Sequence, residues 1–334
     1  MKAIQILGMT AFMAAMLTGC SNDSDLAHSN FPDDNIIRVT AGVNGAVTRA
    51  ETETMGTEWT GDFSLTVVNK NEGTNKYTYI NKIFQKTVTG TEWSCSDILL
   101  WQNAETPVAV AALAPVTNDR IFSGILNNQN QFQTMEYSIF ENQNPQNPEN
   151  DLLYYYKSDL VPGTELKDGK LNIQFNHAFS MIDIIVTLGT EYSNKANPIN
   201  EVIVGGSKKW ATLDITNSKG KGVAYASPEP NPEIDIITTP VTFTKATTNE
   251  ENSKAEFSCI LIPQTIEANK FKVTLMTSSK TYIWTSPEDI TLETGRRYTL
   301  KLKMGKDVVT AQNGNISAGS WTEGTDSGST LGTK

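Results

Sequence analysis

Apolar residues recur at every second position through most of this chain, and that period excludes a helix bundle before anything else is considered. Tyr298, Leu300, Leu302 and Met304 alternate with Thr299, Lys301 and Lys303, so one face is apolar and the other charged, as on a half-buried strand. Phe271, Val273 and Leu275 repeat the pattern, as do Leu171, Ile173 and Phe175, and Ile182, Ile184, Val186 and Leu188. Helical stripes are absent, and short runs rich in Thr and Val are punctuated by Asn, Gly and Pro. Antiparallel β-sandwiches are built from such segments. Two stretches read as loops, Glu141 to Asn150 with Pro145 and Pro148, and Ser227 to Glu233 with Pro228, Pro230 and Pro232, because proline cannot donate to a strand ladder. No repeat of a solenoid or propeller period is visible.

The first residues constrain the compartment. Lys2 precedes an almost uninterrupted apolar run from Ile4 to Leu17, closed by Leu17-Thr18-Gly19-Cys20. A run of about 14 residues is too short to span about 30 Å of hydrocarbon as a helix, so it reads as a cleaved lipoprotein signal over residues 1–20. The Cys20 thiol is the expected site of lipidation, anchoring the chain to the outer-membrane lipid. Ser21 to Asp34 is polar and acidic and reads as a tether. The expected organisation is a tether and removable first strand over 21–50, an N-terminal sandwich over 51–176, and a C-terminal sandwich with a polar tail over 177–334. The boundary falls where one alternating strand, Lys170 to Phe175, runs directly into another beginning at His177.

Charge and titratable residues exclude several classes of function. A net charge of -10 with no basic cluster argues against nucleic-acid binding, which needs clustered Lys and Arg against phosphate. Only two histidines occur: His28 lies in the tether, and His177 sits at a strand junction, where a structural role is expected. There is no nucleophile elbow, zinc-protease helix, phosphate-cradling glycine loop or Cys-x-x-Cys pair, so no enzyme activity and no cofactor are expected. The paired carboxylates Asp33-Asp34 and Glu250-Glu251 read as solvated, and a calcium site made of loop carboxylates stays open. Cys95 and Cys259 are far apart in sequence. Cys259 shares a strand face with Phe257 and Leu261 and reads as a buried thiol.

Ile37, Val39, Ala41 and Val43 alternate with Arg38, Thr40 and Gly42, so this segment can fill a groove in the N-terminal sandwich as a self-supplied plug. Asn44-Gly45 favours a turn after it. That turn would leave Thr48-Arg49-Ala50 in a loop open to an arginine-specific protease, with cleavage between Arg49 and Ala50 freeing the plug. The alternative is an ordinary permanent edge strand.

Several segments together resemble the fimbrillin family, the subunits of type V pili in Gram-negative anaerobes. They are Val47-Thr48-Arg49-Ala50 followed by Trp59-Thr60-Gly61-Asp62; Asp151-Leu152-Leu153-Tyr154 with the strand pair Leu171 to Ser180; Ile260-Leu261-Ile262-Pro263-Gln264; and Gly295-Arg296-Arg297-Tyr298 leading to Trp321-Thr322-Glu323-Gly324. The family often continues Gly-Asp with an Ile-Gly-Val strand, whereas Phe63-Ser64-Leu65 follows here. The resemblance implies an all-β chain of two transthyretin-like antiparallel β-sandwich domains in tandem. It also implies a surface pilus subunit, of shaft or tip, that serves cell adhesion and joins other pilus subunits by strand exchange, with host or bacterial surfaces as further ligands. The expected location is the cell outer membrane and its fimbrium. The segment after Trp321 is a poor groove filler, so either Val308 to Trp321 is the donor or the protein sits where no C-terminal donation is needed. The competing reading is a surface glycan-binding lipoprotein of a polysaccharide-uptake system, in which Trp93, Trp101, Trp210 or Trp284 would stack on sugars.

Overall fold

The computed structural model describes residues 30–44, 59–70, 76–87, 92–116, 122, 124–143, 148–193, 195–312, 316–320 and 329–330. The chain is nearly all strand, 53% against 4% helix, as the alternation requires.

Up to residue 177 the strands are β1 (Arg38–Val43), β2 (Phe63–Asn69), β3 (Tyr79–Lys86), β4 (Trp93–Cys95), β5 (Val108–Ala114), β6 (Met135–Ser138), β7 (Asn142–Gln143), β8 (Leu153–Leu160) and β9 (Lys170–His177). Then follow β10 (Ser180–Leu188), β11 (Ile199–Lys208), β12 (Trp210–Leu213), β13 (Ala224–Ala226), β14 (Glu233–Thr238), β15 (Thr242–Thr244) and β16 (Lys254–Leu261). The last are β17 (Gln264–Ile266), β18 (Lys272–Thr277), β19 (Thr281–Thr285), β20 (Ile290–Leu292), β21 (Arg296–Met304), β22 (Val309–Ala311) and β23 (Ser317–Ser320).

The first sheet has the order β1-β9-β8-β5-β2-β3-β4. It curls until its two margins approach: Ile36 bridges Leu100, and the Ile37 N–H donates to the Leu99 carbonyl at 2.8 Å. Inside lies a core of Leu65, Val67, Val110, Leu171, Ile173, Phe175 and their neighbours. The later strands make two larger sheets, β15-β16-β10-β21-β23 and β19-β18-β11-β14-β7, with the smaller groups β13-β12-β6 and β17-β20 beside them. Their core is lined by Ile182, Ile184, Val186 and Leu188 of β10 and by Leu300, Leu302 and Met304 of β21, all at 0% exposure, so the faces read from the alternation are the inward faces.

Pairing is antiparallel except in β1–β9, β10–β21 and β7–β14, which are parallel among the described pairs. Residues 135–143, which precede the expected boundary at 176, pair with strands that follow it: β6 with β12 and β7 with β14. The Gln143 side chain extends that crossing. Its Nε2 donates to the Ile260 carbonyl at 2.8 Å and its Oε1 accepts the Ile260 N–H at 2.7 Å, a buried amide acting as one more rung of strand. Between the two sets of strands the chain passes directly from β9 to β10 through Ala178 and Phe179.

Candidate functional site

The segment expected to act as a plug is β1, and its sequence explains its seat. Val39, Ala41 and Val43 of the strand and Ile37 just before it point inward at 4%, 7%, 7% and 4% exposure respectively. They rest on an aromatic cluster in which Phe63 stacks on Phe84 at 5.5 Å and meets Trp93 edge-on at 4.8 Å and Phe175 at 5.6 Å. At about 1.5 to 3 kcal/mol for each fully buried aliphatic side chain, and less for alanine, this burial holds the strand by several kcal/mol. The alternate residues face out, where the Thr40 hydroxyl donates to Asn172 Oδ1 at 3.2 Å and Asn44 Nδ2 to Asn176 Oδ1 at 3.1 Å.

β1 lies at the margin of its sheet, paired along its length, among the described residues, with β9 alone, from Arg38↔Lys170 to Val43↔Phe175. In a strand the N–H and C=O of one residue point to the same side, so the odd-numbered residues turn theirs away from β9. That free side is clipped at both ends: Ile37 N–H to the Leu99 carbonyl at 2.8 Å, and Trp59 N–H to the Ala41 carbonyl at 3.1 Å. Between the clips, a cavity of about 220 Å³ separates β1 from β4, lined by Ile37, Val39, Phe84, Trp93 and Leu99. A further strand cannot simply add beside β1, because both ends of its free side are already taken.

The start of β1 carries an ionic clasp. Both terminal guanidinium nitrogens of Arg38 donate to the Asp34 carboxylate, at 2.8 and 2.6 Å, and the Ile36 N–H adds a third bond at 3.1 Å. These hydrogen bonds, the arginine's first, hold the Asp34 carboxyl down at about 2. At the other end, Asn44 N–H donates to the Phe175 carbonyl at 2.7 Å. Asn44 and Trp59, which bound the interval 45–58 in sequence, therefore lie at the same end of β1, Trp59 being bonded to Ala41. Gly45, Arg49 and Ala50 fall in that interval and, like Cys20 and His28, lie outside the described residues.

His177 is buried, and its Nδ1 stands 2.8 Å from Asp151 Oδ2, with side-chain exposures of 2% and 5%. The pair fastens the start of β8 to the end of β9, where Leu153 faces His177 in the ladder. Sequence reading found the histidine and missed its acid partner; Asp151 heads the segment Asp151 to Tyr154, but nothing in the local pattern aims it at residue 177. Of the carboxylates expected to be solvated, Glu251 accepts hydrogen bonds from the Thr247 hydroxyl and N–H, which hold its carboxyl below the usual range. Among the described residues no three His, Cys, Asp or Glu side chains gather as a metal set. Cys95 and Cys259 are thiols rather than a disulfide, Cys259 fully buried in the larger core.

Two of the four tryptophans considered for sugar stacking, Trp93 and Trp101, are buried at 9% and 1% and present no face to solvent. Trp284 is half-buried against Phe271, ring centres 6.3 Å apart. The candidate donor stretch is also engaged within its own chain, β23 pairing with Arg296–Thr299 and β22 with Leu302–Met304 of β21.

A family model described as fimbrillin-like matches residues 48–321. Among solved structures, a candidate cell adhesion protein from Bacteroides ovatus superposes with a TM-score of 0.57 at 19% identity, over 84% of this chain and 96% of that one. A second such protein, from Bacteroides uniformis, gives 0.54 at 15% identity, over 87% and 100%. At these identities the likeness is one of fold. No curated protein matches the sequence.

Proposed function

We propose, proceeding from the fact that this chain belongs to the fimbrillin-like family, that it is a structural subunit of a surface pilus serving cell adhesion, in the shaft or at the tip. It is exported as a precursor held in the outer membrane by lipid on Cys20. Proteolysis between Arg49 and Ala50 then severs β1 from the body of the protein, and a strand from a neighbouring subunit takes the vacated place beside β9, a form of β-augmentation. The division into sandwiches near residue 176, with residues 135–143 crossing over, belongs to the same reading.

The observation that supports it most is the seat of β1: a strand with an inward apolar row, bonded lengthwise to β9, and joined to the rest of the chain through the interval that contains Arg49. A buried apolar strand does not depart quickly by itself, so assembly should be slow without an incoming strand. Wild type and Arg49→Ala are compared after mild exposure to an arginine-specific protease, by N-terminal sequencing and by SDS-resistant ladders. Wild type should acquire an N terminus at Ala50 and form ladders, and the variant neither. Equal polymerisation of Arg49→Ala, or no new terminus in wild type, overturns strand exchange by cleavage.

A further inference from the structure

Only Ala178 and Phe179 separate β9 in the first sheet from β10 in the next, and both are fully buried. Tension carried by β9 therefore reaches the first residue of β10 without slack. β10 runs parallel to β21, in unbroken register from Met181↔Arg297 to Leu188↔Met304. The chain thus enters this pair at the N-terminal end of β10 and leaves it at the C-terminal end of β21, which are opposite ends of one ladder. Strands drawn from opposite ends slide along one another and load the evenly spaced bonds of a parallel ladder together. Strands drawn from the same end unzip, breaking their bonds in succession.

We propose that β10 and β21 form a load-bearing clamp that keeps the second sheet folded when the chain is under tension. The two ends of the ladder are bolted: Gly295 N–H donates to the Phe179 carbonyl at 2.9 Å, and Gly189 N–H to the Met304 carbonyl at 2.8 Å. The Ser180 hydroxyl donates to the Glu293 carbonyl at 2.8 Å, and Arg297 pairs with Asp183 across the two strands. Ile182, Ile184, Val186 and Leu188 are buried with Tyr298, Leu300, Leu302 and Met304, so sliding by one residue would turn every inward side chain outward. On its other side β10 is held by β16 from Ser180↔Leu261 to Thr187↔Lys254.

β22 and β23 have the opposite mechanical character. The chain reverses at Gly305, whose N–H donates to the Val308 carbonyl at 2.9 Å, and returns antiparallel along β21. Tension from beyond residue 320 peels β23 and then β22 bond by bond before it arrives at Met304. The first sheet repeats the clamp arrangement, since its entry strand β1 and exit strand β9 are also parallel neighbours; cleavage at Arg49 would take that pair off the load path and leave β10–β21 on it. That a polymer supplies the tension rests on the pilus reading, whereas the clamp is a property of the single chain.

Because forced unfolding is governed by the unfolding rate along the pulled direction, one protein pulled in two directions tests the clamp. Full-length chains carry clickable residues at positions 176 and 306 in one preparation, which load β10 and β21 from opposite ends, and at 176 and 293 in the other, which load them from the same end. Matching thermal midpoints establish that both preparations are folded. The mean rupture force in the first geometry should exceed that in the second by about threefold or more, the load being shared along a parallel ladder though unevenly. Equal forces, or a lower force in the first geometry, overturn the clamp. Either result is obtained on monomers and leaves the question of polymerisation to the Arg49 experiment.

Discussion

At the residue scale, the Asp151–His177 pair and the Asp34–Arg38 clasp show how the same chemistry acts differently with burial. Asp151 and His177 are removed from solvent and 2.8 Å apart, so truncating the acid leaves the imidazole buried without its carboxylate. Asp151→Ala should lower the unfolding free energy by about 3 kcal/mol, seen as a fall in the urea midpoint with the slope unchanged; a loss below about 1 kcal/mol would show that the pair does not fasten β8 to β9. Asp34 is exposed, and the value of its clasp lies in titration. Its folded pKa of about 2 is below the ordinary aspartate value of about 3.9. The stabilisation is therefore present above about pH 4 and is lost as pH falls towards 2. Arg38→Gln should move the Asp34 carboxyl titration, followed by carbon NMR, back up towards the ordinary value. An unmoved titration would mean that the arginine is not its cause.

At the scale of the element, the period of two makes a sharp claim about β1. Val39 faces the core and Thr40 faces water one residue later. Val39→Asp places a carboxylate near Phe84, Trp93 and Leu99, at a cost of several kcal/mol for an unpaired buried charge, and should release β1, giving fast amide exchange over residues 38–43. Thr40→Asp should leave those amides protected; similar exchange in both variants would refute the inward seat. The alternation in residues 171–175, 182–188, 271–275 and 298–304 was legible because each strand has one wet face. β5, with the sequence Val108-Ala109-Val110-Ala111-Ala112-Leu113-Ala114, was not, because it is buried on both faces and an unbroken apolar run has no period. Nor did side-chain pattern announce that β1 pairs with β9, and β10 with β21, in parallel, since parity fixes which face is buried and says nothing of strand direction. The clips at Ile37 and Ala41 are backbone bonds to distant residues, and their partners Leu99 and Trp59 carry no local signal. The inward residues of β1 were readable; what locks them in place was not.

At the scale of the whole molecule, the two sets of strands are distinct in topology yet joined in their packing. Ala111 and Leu113 of β5 and Leu152 just before β8 belong to the first sheet and its margin, but they lie in the larger core with Phe179, Ile182 and Leu300. Phe122 and residues 124–139 lie over that outer face: Phe132 meets Tyr156 edge-on at 5.2 Å, Tyr137 meets Phe179 at 5.3 Å, and Asn81 donates its side-chain amide to the Phe122 carbonyl. Opening the junction would expose the outer face of β5 and β8, leave Gln143 without its Ile260 partners, and break the pairing of β6 with β12. Unfolding one set of strands alone therefore forfeits burial that the other set also needs, and neither can open at small cost. Despite two cores and a chain longer than the usual two-state domain, the full-length protein should melt in one calorimetric transition whose van't Hoff enthalpy approaches the measured enthalpy. Tyr137→Ala, which removes the ring against Phe179, should split that transition or broaden it, because the shared core is thinned where the two sets meet. Two well-separated transitions in the unaltered protein would show instead that the crossing segment is a loose strap, and that the first set of strands folds and unfolds independently of the second.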